Sequence, residues 1–328
     1  MSRVVQFTAV GGPETLKIVD MEVAAPGKGE VRIKVKAIGL NRAETLFRKG
    51  EYFEFPTFPA KNGYEAAGII DAIGPDVDGF AIGDAVSVIP NFSLNEYGTY
   101  GDTVLAKAAS LVRHPASLTF EEAAATWMAY LTAYDALLGT ANLTEGQFVV
   151  IPAASSSVGI AAIQIAKFVG AVPIALTRTR AKVQQIRDAG ASHVVVTDEQ
   201  DLLEALKEIT RGQGFQVAFD PVGGPNFAKL LEAAAPKAII IIYGTLAEPT
   251  VMPHFPIFTK SLTITGALLF TTTYDPERLK IGVDWVVSGL ESGALQPVIA
   301  KRFPLDQIVE AHRYLEANDQ FGKIVVTV

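Results

Sequence analysis

The stretch Gln147-Phe148-Val149-Val150-Ile151-Pro152-Ala153-Ala154-Ser155-Ser156-Ser157-Val158-Gly159-Ile160, running on to Gly170, decides how the rest of the chain is read. Phe148–Ile151 is a short apolar run holding two valines, the composition of a buried parallel strand. Ala153, Ala154, Ser155, Ser156 and Ser157 follow, then Gly159. Ile160, Ile163, Ile165 and Phe168 recur at roughly helical spacing, which predicts a helix opening near Ser157. A strand, a tight loop of small residues and a helix N-terminus make an anion site, because the helix's unpaired amides and positive dipole end face the loop. The dinucleotide fingerprint G-x-G-x-x-G stands here as Ala154-x-Ser156-x-x-Gly159. Only the last glycine is kept, the one that serves close helix–strand packing. Ala154, Ser155, Ser156, Ser157, Val158 and Gly159 are therefore candidate cofactor contacts, although small residues at such a turn also serve packing alone.

Downstream, apolar runs at 172–177, 193–197, 215–220 and 238–243 alternate with helical patterns at 157–169, 181–189, 200–210 and 225–235. That rhythm predicts an α/β fold with a doubly wound parallel sheet. Leu262–Ala267 supplies a sixth strand, completing two mononucleotide-binding halves. Upstream, Arg3 to about Pro115 reads as short strands broken by glycine, proline and aspartate, which suggests a barrel or sandwich. Val31, Ile33, Val35 and Ala37 alternate with charged partners there, as in a half-buried strand. A helix at Arg42–Lys49 follows Asn41 as N-cap. Glu121–Leu138 reads as one helix, opened by the capping-box pair Thr119 and Glu122. The helix Arg278–Ser288 and the strand Lys323–Val328 fit neither half and predict a tail folded back on the first domain. The expected domains are 1–120 with 270–328, and 121–269.

Hydrophobic residues make up 49% and charged ones 19% of the 328 residues, an ordinary globular composition. A net charge of −7 argues against nucleic-acid binding as the main function. The absence of cysteine excludes disulfides, thiolate nucleophiles and cysteine-held zinc. His114, His193, His254 and His312 form no ligand-spaced pair, so no metal is expected. Neither a signal-peptide core nor a membrane-length apolar run is visible, so a soluble, cytoplasmic protein is expected.

An NAD-binding unit carries an acid about 20 residues past the first glycine, where it bonds the adenosine ribose. Here that point falls on Leu176-Thr177-Arg178-Thr179-Arg180-Ala181-Lys182, with cations and hydroxyls and no acid. Such groups suit a 2′-phosphate, and basic residues at a helix's positive end are otherwise unfavourable. NADP(H) is expected over NAD(H), held by Thr177, Arg178 and Lys182, with Arg180 less central. Asp220–Gly224 and Tyr243–Leu246 fall at carboxyl ends of later strands. Val222 and Gly244 are further candidate contacts there, unless the glycines only make turns.

Several segments together resemble the medium-chain dehydrogenase/reductase superfamily, in its zinc-independent quinone oxidoreductase (zeta-crystallin-like) branch. They are Gly39-Leu40-Asn41 through Arg48-Lys49-Gly50-Glu51-Tyr52; Gly63-Tyr64-Glu65-Ala66-Ala67-Gly68; Gly74-x-x-Val77 with Phe80-x-x-Gly83-Asp84-x-Val86; Ala129-Tyr130-Leu131-Thr132-Ala133-Tyr134; and Gly322-Lys323-Ile324-Val325. The resemblance implies a chaperonin-10-like, partly open β-barrel domain, a Rossmann domain and a cleft between them. Zinc-dependent relatives carry cysteine where Asn41 stands and histidine where Tyr64 stands, and their four-cysteine lobe is missing. The family loop has glycines where Ser156 and Ser157 lie. Quinone reductases often carry tyrosine where Leu46 sits.

By the same resemblance Asn41 lies beside the nicotinamide, or simply caps its helix. Tyr52 and Tyr64 line the cleft as hydrogen-bond or proton donors, or are packed aromatics. Tyr130 and Thr132 contact nicotinamide or substrate, and Leu269 joins the cofactor contacts. Lys323 stands near the cofactor phosphates, or is a surface lysine. The implied activity is NADPH-dependent, metal-free reduction of a quinone. The nearest rival is reduction of an alkenal or enone double bond, and a non-catalytic NADPH-binding protein is more distant. The small-molecule partner is thus a quinone or unsaturated carbonyl, and a homodimer through Leu262–Phe270 is implied.

Overall fold

Phe148–Ile151 lies inside a six-stranded sheet of order His193–Val196, Val172–Thr177, Phe148–Ile151, Phe215–Asp220, Ala234–Ile242, Thr263–Gly266. Every neighbouring pair is parallel, and the order is that of two mononucleotide-binding halves. Val149, Val150 and Ile151 are fully buried, which is why the strand is continuously apolar rather than alternating. The computed structural model describes residues 1–328. They divide into two compact units, Met1–Met128 with Pro297–Val328, and Ala129–Gln296.

The first unit is built of short antiparallel strands. Glu30–Gly39 is its longest, pairing with Glu65–Ile73, Thr103–Lys107 and Lys323–Thr327. Val31, Ile33, Val35 and Ala37 face the core while Lys34 and Lys36 are exposed, the alternation the sequence shows. A three-stranded sheet of Lys17–Met21, Ser2–Phe7 and Ala60–Lys61 completes the unit, linked to the rest through a Val4–Gly101 bridge.

Two expectations are corrected. The helix read over Glu121–Leu138 is interrupted: Phe120–Ala123 and Trp127–Tyr134 are separate helices, followed by a π-helical turn at Asp135–Thr140. The capping box at Thr119 and Glu122 is present, but the second helix starts where the Glu65 carboxylate takes the Met128 amide at 2.9 Å. Residues 270–296 belong to the second unit rather than the first. Trp285, on the helix Pro276–Glu291, packs its ring against Tyr134 and Phe168, with centroids 5.2 and 5.3 Å away.

Candidate cofactor and active site

The helix after the first Rossmann strand runs Ser157–Phe168 with Ser156 as N-cap, whose Oγ accepts the Gly159 amide at 3.0 Å. The amides of Ser157 and Val158 occupy the helix's first turn, where no carbonyl of the helix can reach them. A Cβ at Gly159 would lie 2.6 Å from the Ala153 carbonyl oxygen and 2.8 Å from Ala154 Cα. The glycine is therefore the only residue that lets helix and strand close. Its retention while the other two glycines are replaced has a backbone reason. The left-handed position of the loop falls on Ala153, φ 48°, while Ser156 sits at an ordinary extended φ of −73°. Serine at 156 is thus sterically allowed. Ala154 is fully buried and its amide bonds the Leu176 carbonyl, so it shapes the loop from within.

At the end of the next strand, Val172–Thr177, Arg178 is exposed and pairs with no carboxylate. Arg180 is turned away in an ion pair with Glu199. Lys182 caps the helix Val183–Asp188, and Thr177 is half-buried. After Phe215–Asp220, the buried Asp220 carboxylate gathers the amides of Val222 at 2.7 Å and Gly223 at 3.1 Å. Burial pushes its pKa up and those amides oppose the shift. Gly223 and Gly224 adopt φ near 65° and lock against Ala247 and Thr250, so their primary work is the turn. Val222 and Gly244 remain half-buried beside it. Tyr243 stacks on Phe219 at 3.9 Å, and its buried hydroxyl, close to Ser156, makes no well-formed hydrogen bond. Leu269 is buried ahead of the helix Phe270–Thr273.

Tyr130 is held within the second unit. It is 2% exposed and donates its hydroxyl to Gln164 Oε1 at 2.7 Å. Gln164 in turn exchanges two hydrogen bonds with the Gln296 backbone. The phenol is a brace inside the second unit, and burial raises its pKa. Thr132, half-buried on the same helix, stays a candidate.

The first unit holds a buried cluster of charge. Lys323, 1% exposed, forms an ion pair with the fully buried Glu65 and donates to Asn41 Oδ1 at 2.5 Å. Lys323 is thus neither a surface lysine nor spare for a phosphate. Asn41 spreads its amide over Gly39, Glu44 and Glu65 at 3.1–3.2 Å, while Glu44 takes the Asn41 backbone amide at 2.7 Å to cap the helix Arg42–Lys49. Both polar ends of Asn41 are engaged, so it braces the cluster instead of offering a spare donor. The zinc that dehydrogenase architecture can carry does not fit here: an internal ammonium already occupies the Asn41–Glu65 donor set, and position 64 offers a phenol.

Tyr64 is fully buried, and Tyr52 is half-buried beside it with ring centroids 6.3 Å apart and their hydroxyls hydrogen-bonded. Tyr64 Oη also reaches Glu54 Oε1 at 3.3 Å. Glu54 collects the Ser93 hydroxyl and the Leu94 amide, the latter at 2.9 Å. Phe92 is core packing against Tyr64, Trp127 is fully buried, and Tyr97 donates to Glu30 at 2.5 Å. Glu54, Glu44 and Glu65 were not singled out from the sequence. The available signal for Glu65 was a carboxylate at the head of the apolar strand Glu65–Ile73.

A Rossmann-type parallel sheet with a helix-capped small-residue loop, joined to a β-rich unit, defines a two-unit dehydrogenase/reductase. Residues 157–296 match the zinc-binding dehydrogenase family and residues 27–116 the alcohol dehydrogenase GroES-like domain. The quinone oxidoreductase of Pseudomonas aeruginosa is 31% identical over 99% of both chains. A 2-haloacrylate reductase of Burkholderia sp is 29% identical over 96% of both. The solved structure of Escherichia coli quinone oxidoreductase complexed with NADPH superposes with a TM-score of 0.92 at 30% identity, covering 99% of this chain and 100% of that one. The chain belongs to the medium-chain dehydrogenase/reductase superfamily, in its quinone oxidoreductase branch.

Proposed function

We propose that this protein is an NADPH-dependent oxidoreductase that reduces quinones by hydride transfer. The observation that carries the reading is the likeness, over the whole length, to quinone oxidoreductases, one of them solved with NADPH. The cofactor fits the residues present. Ser155, Ser157 and Val158 would hold its pyrophosphate by amides and hydroxyls, on a turn shaped by Ser156 and Gly159. Thr177, Arg178 and Lys182 would hold the 2′-phosphate, and Val222, Gly244, Leu269 and Thr132 would line the rest. The Tyr243 hydroxyl, buried beside Ser156, is a further polar group at that loop. When bound, the cofactor supplies the hydride. Tyr52 and Tyr64 hold a proton for the acceptor oxygen, and the apolar walls around them exclude water.

NADPH and NADH oxidation, followed with benzoquinone and then with an alkenal, test this reading. NADPH-selective turnover of the quinone is the expected result, and no turnover with either acceptor overturns it. The 2-haloacrylate reductase favours a second reading, reduction of an activated alkene; a saturated carbonyl product from the alkenal alone would select it. Arg178→Ala weakens NADPH binding by about 1.5–3 kcal/mol, as loss of a charged hydrogen bond should, and leaves NADH binding nearly unchanged; calorimetry with both cofactors checks this.

Two finer points belong to the same proposal. The outer strand Thr263–Gly266 pairs on one side only, beside exposed Leu268, Phe255 and Phe258, which supports a homodimer through that edge; light scattering at the mass of one chain would overturn it. No helix is long and apolar enough to cross a membrane, and we place the enzyme in the cytoplasm.

A further inference from the structure

Reduction of a quinone or an enone by a hydride leaves an anion that needs one proton, and the proposed function names no path by which that proton arrives. Such a path needs a group in contact with solvent, a group at the acceptor, and unbroken hydrogen bonds between them. The first unit contains one such chain. Glu54 is partly exposed and stands at its outer end. Its Oε1 meets the Tyr64 hydroxyl at 3.3 Å, and Tyr64 is hydrogen-bonded to Tyr52, the more exposed of the two phenols. The Leu94 amide, at 2.9 Å, and the Ser93 hydroxyl fix the carboxylate's position. Tyr64 has no surface of its own. A fully buried phenol reached only through hydrogen bonds serves a substrate through its neighbours or not at all.

We propose that Glu54 is the solvent-side end of a proton relay, Glu54–Tyr64–Tyr52, that serves the acceptor oxygen. The inference rests on the oxidoreductase reading above. Burial and the neighbouring phenol hold the Tyr64 pKa far above that of an ordinary tyrosine, so a Tyr64 phenolate never accumulates and the protons move together. In one shift the acceptor oxygen takes the proton of Tyr52 Oη, Tyr52 takes that of Tyr64, and Tyr64 takes a proton that solvent delivers at the Glu54 carboxyl. Glu54 ends the shift as the carboxylate that accepts from Tyr64, Ser93 and Leu94, and the net proton has come from water. One hydride and one solvent proton enter per acceptor, so the balance closes as acceptor, NADPH and a proton giving the reduced acceptor and NADP⁺. In the reverse direction the Glu54 carboxylate is the final proton acceptor, and the same chain runs outward. Glu54 touches no substrate; it is a relay residue, and Tyr52 is the group at the acceptor.

The test uses the full-length protein with NADPH and benzoquinone, comparing wild type with Glu54→Gln, Tyr64→Phe and the double variant. Glutamine keeps an oxygen for Tyr64 and Leu94 but cannot release a proton. The relay predicts that kcat falls by about 10²-fold in either single variant, the usual scale of acid–base assistance. KM for NADPH stays unchanged and the solvent deuterium isotope effect on kcat rises as proton transfer becomes limiting. The double variant is no slower than the worse single one, because both break one chain. Glu54→Gln within twofold of wild type with an unchanged isotope effect overturns the relay, as does full additivity of the two losses. If Glu54→Gln is unstable by thermal melting, Tyr64→Phe carries the first of these outcomes: a kcat within twofold of wild type with an unchanged isotope effect overturns the relay. Wild type without turnover on quinone or alkenal removes the oxidoreductase reading and the relay together, whereas an active wild type with indifferent variants removes the relay only.

Discussion

The nucleotide loop of the second unit and the charged cluster of the first are both small and central, and they are built on opposite principles. The loop is made of backbone. Its anion-binding amides come from a helix start, its shape from a left-handed Ala153, and its tight closure from the missing side chain of Gly159. The cluster is made of side chains whose charges cancel far from water: Lys323 on Glu65, with Asn41 and Glu44 filling the remaining hydrogen-bond positions. A backbone site tolerates changes of side chain so long as the dihedrals are met, which is how serines come to stand in a glycine loop. A buried charge cluster tolerates almost nothing, because removing one partner strands the other.

That contrast can be broken or sharpened by measurement. Lys323→Met leaves the Glu65 carboxylate unpaired in the core and should lower stability by about 3–5 kcal/mol in chemical denaturation. Adding Glu65→Gln should restore much of the loss, and failure to do so would mean that the cluster is held by packing and not by charge. His312, buried 3.1 Å from the Tyr100 hydroxyl, sharpens the same point through pH. Burial, together with Arg48 and Arg42, holds its pKa down at about 3, against 6.5 for a free imidazole. Between those values the unfolded chain binds a proton that the folded chain refuses. His312 therefore subtracts stability as pH falls from about 6.5 towards 3, by up to about 1.4 kcal/mol per pH unit. Denaturation curves of His312→Gln should show a shallower acid slope, and an unchanged slope would contradict the assignment. The loop should respond least: Ala153→Gly relieves the left-handed strain but adds chain entropy to the unfolded state, for a net gain of about 0.5 kcal/mol. A loss at this position would mean that the alanine methyl is needed for packing.

The same division explains what could be read from the sequence. The strand order, the helix start at Ser157 and the reason for Gly159 are local facts, fixed by runs of a few residues and by steric rules, and they are legible in the chain. Asn41 as a helix cap was legible for the same reason. Lys323 was not, because its partners lie 258 and 282 positions away, and no spacing rule relates a strand-start lysine to a carboxylate at that separation. The bracing of Tyr130 was not legible, because the groups that hold it, Gln164 and the backbone of Gln296, stand on other segments of the second unit. The break between residues 123 and 127 was hidden likewise: Ala123, Ala124 and Ala125 are good helix formers, and the interruption is tied to Glu65, about 60 residues earlier, through its bond to Met128.

The first unit takes its strands from both sides of the second: Lys323–Thr327 lies between Ile299–Pro304 and Glu30–Gly39. On a ribosome this order has a temporal meaning. The early strands emerge with one edge unpaired and with Glu65 lacking its counter-charge, and they wait while residues 129–296 are made, roughly ten to thirty seconds at ordinary synthesis rates. The second unit, continuous in sequence, needs no such wait. A chain interrupted anywhere before Lys323 keeps an open sheet edge and a bare buried carboxylate, two features that mark a protein for capture by chaperones or proteases.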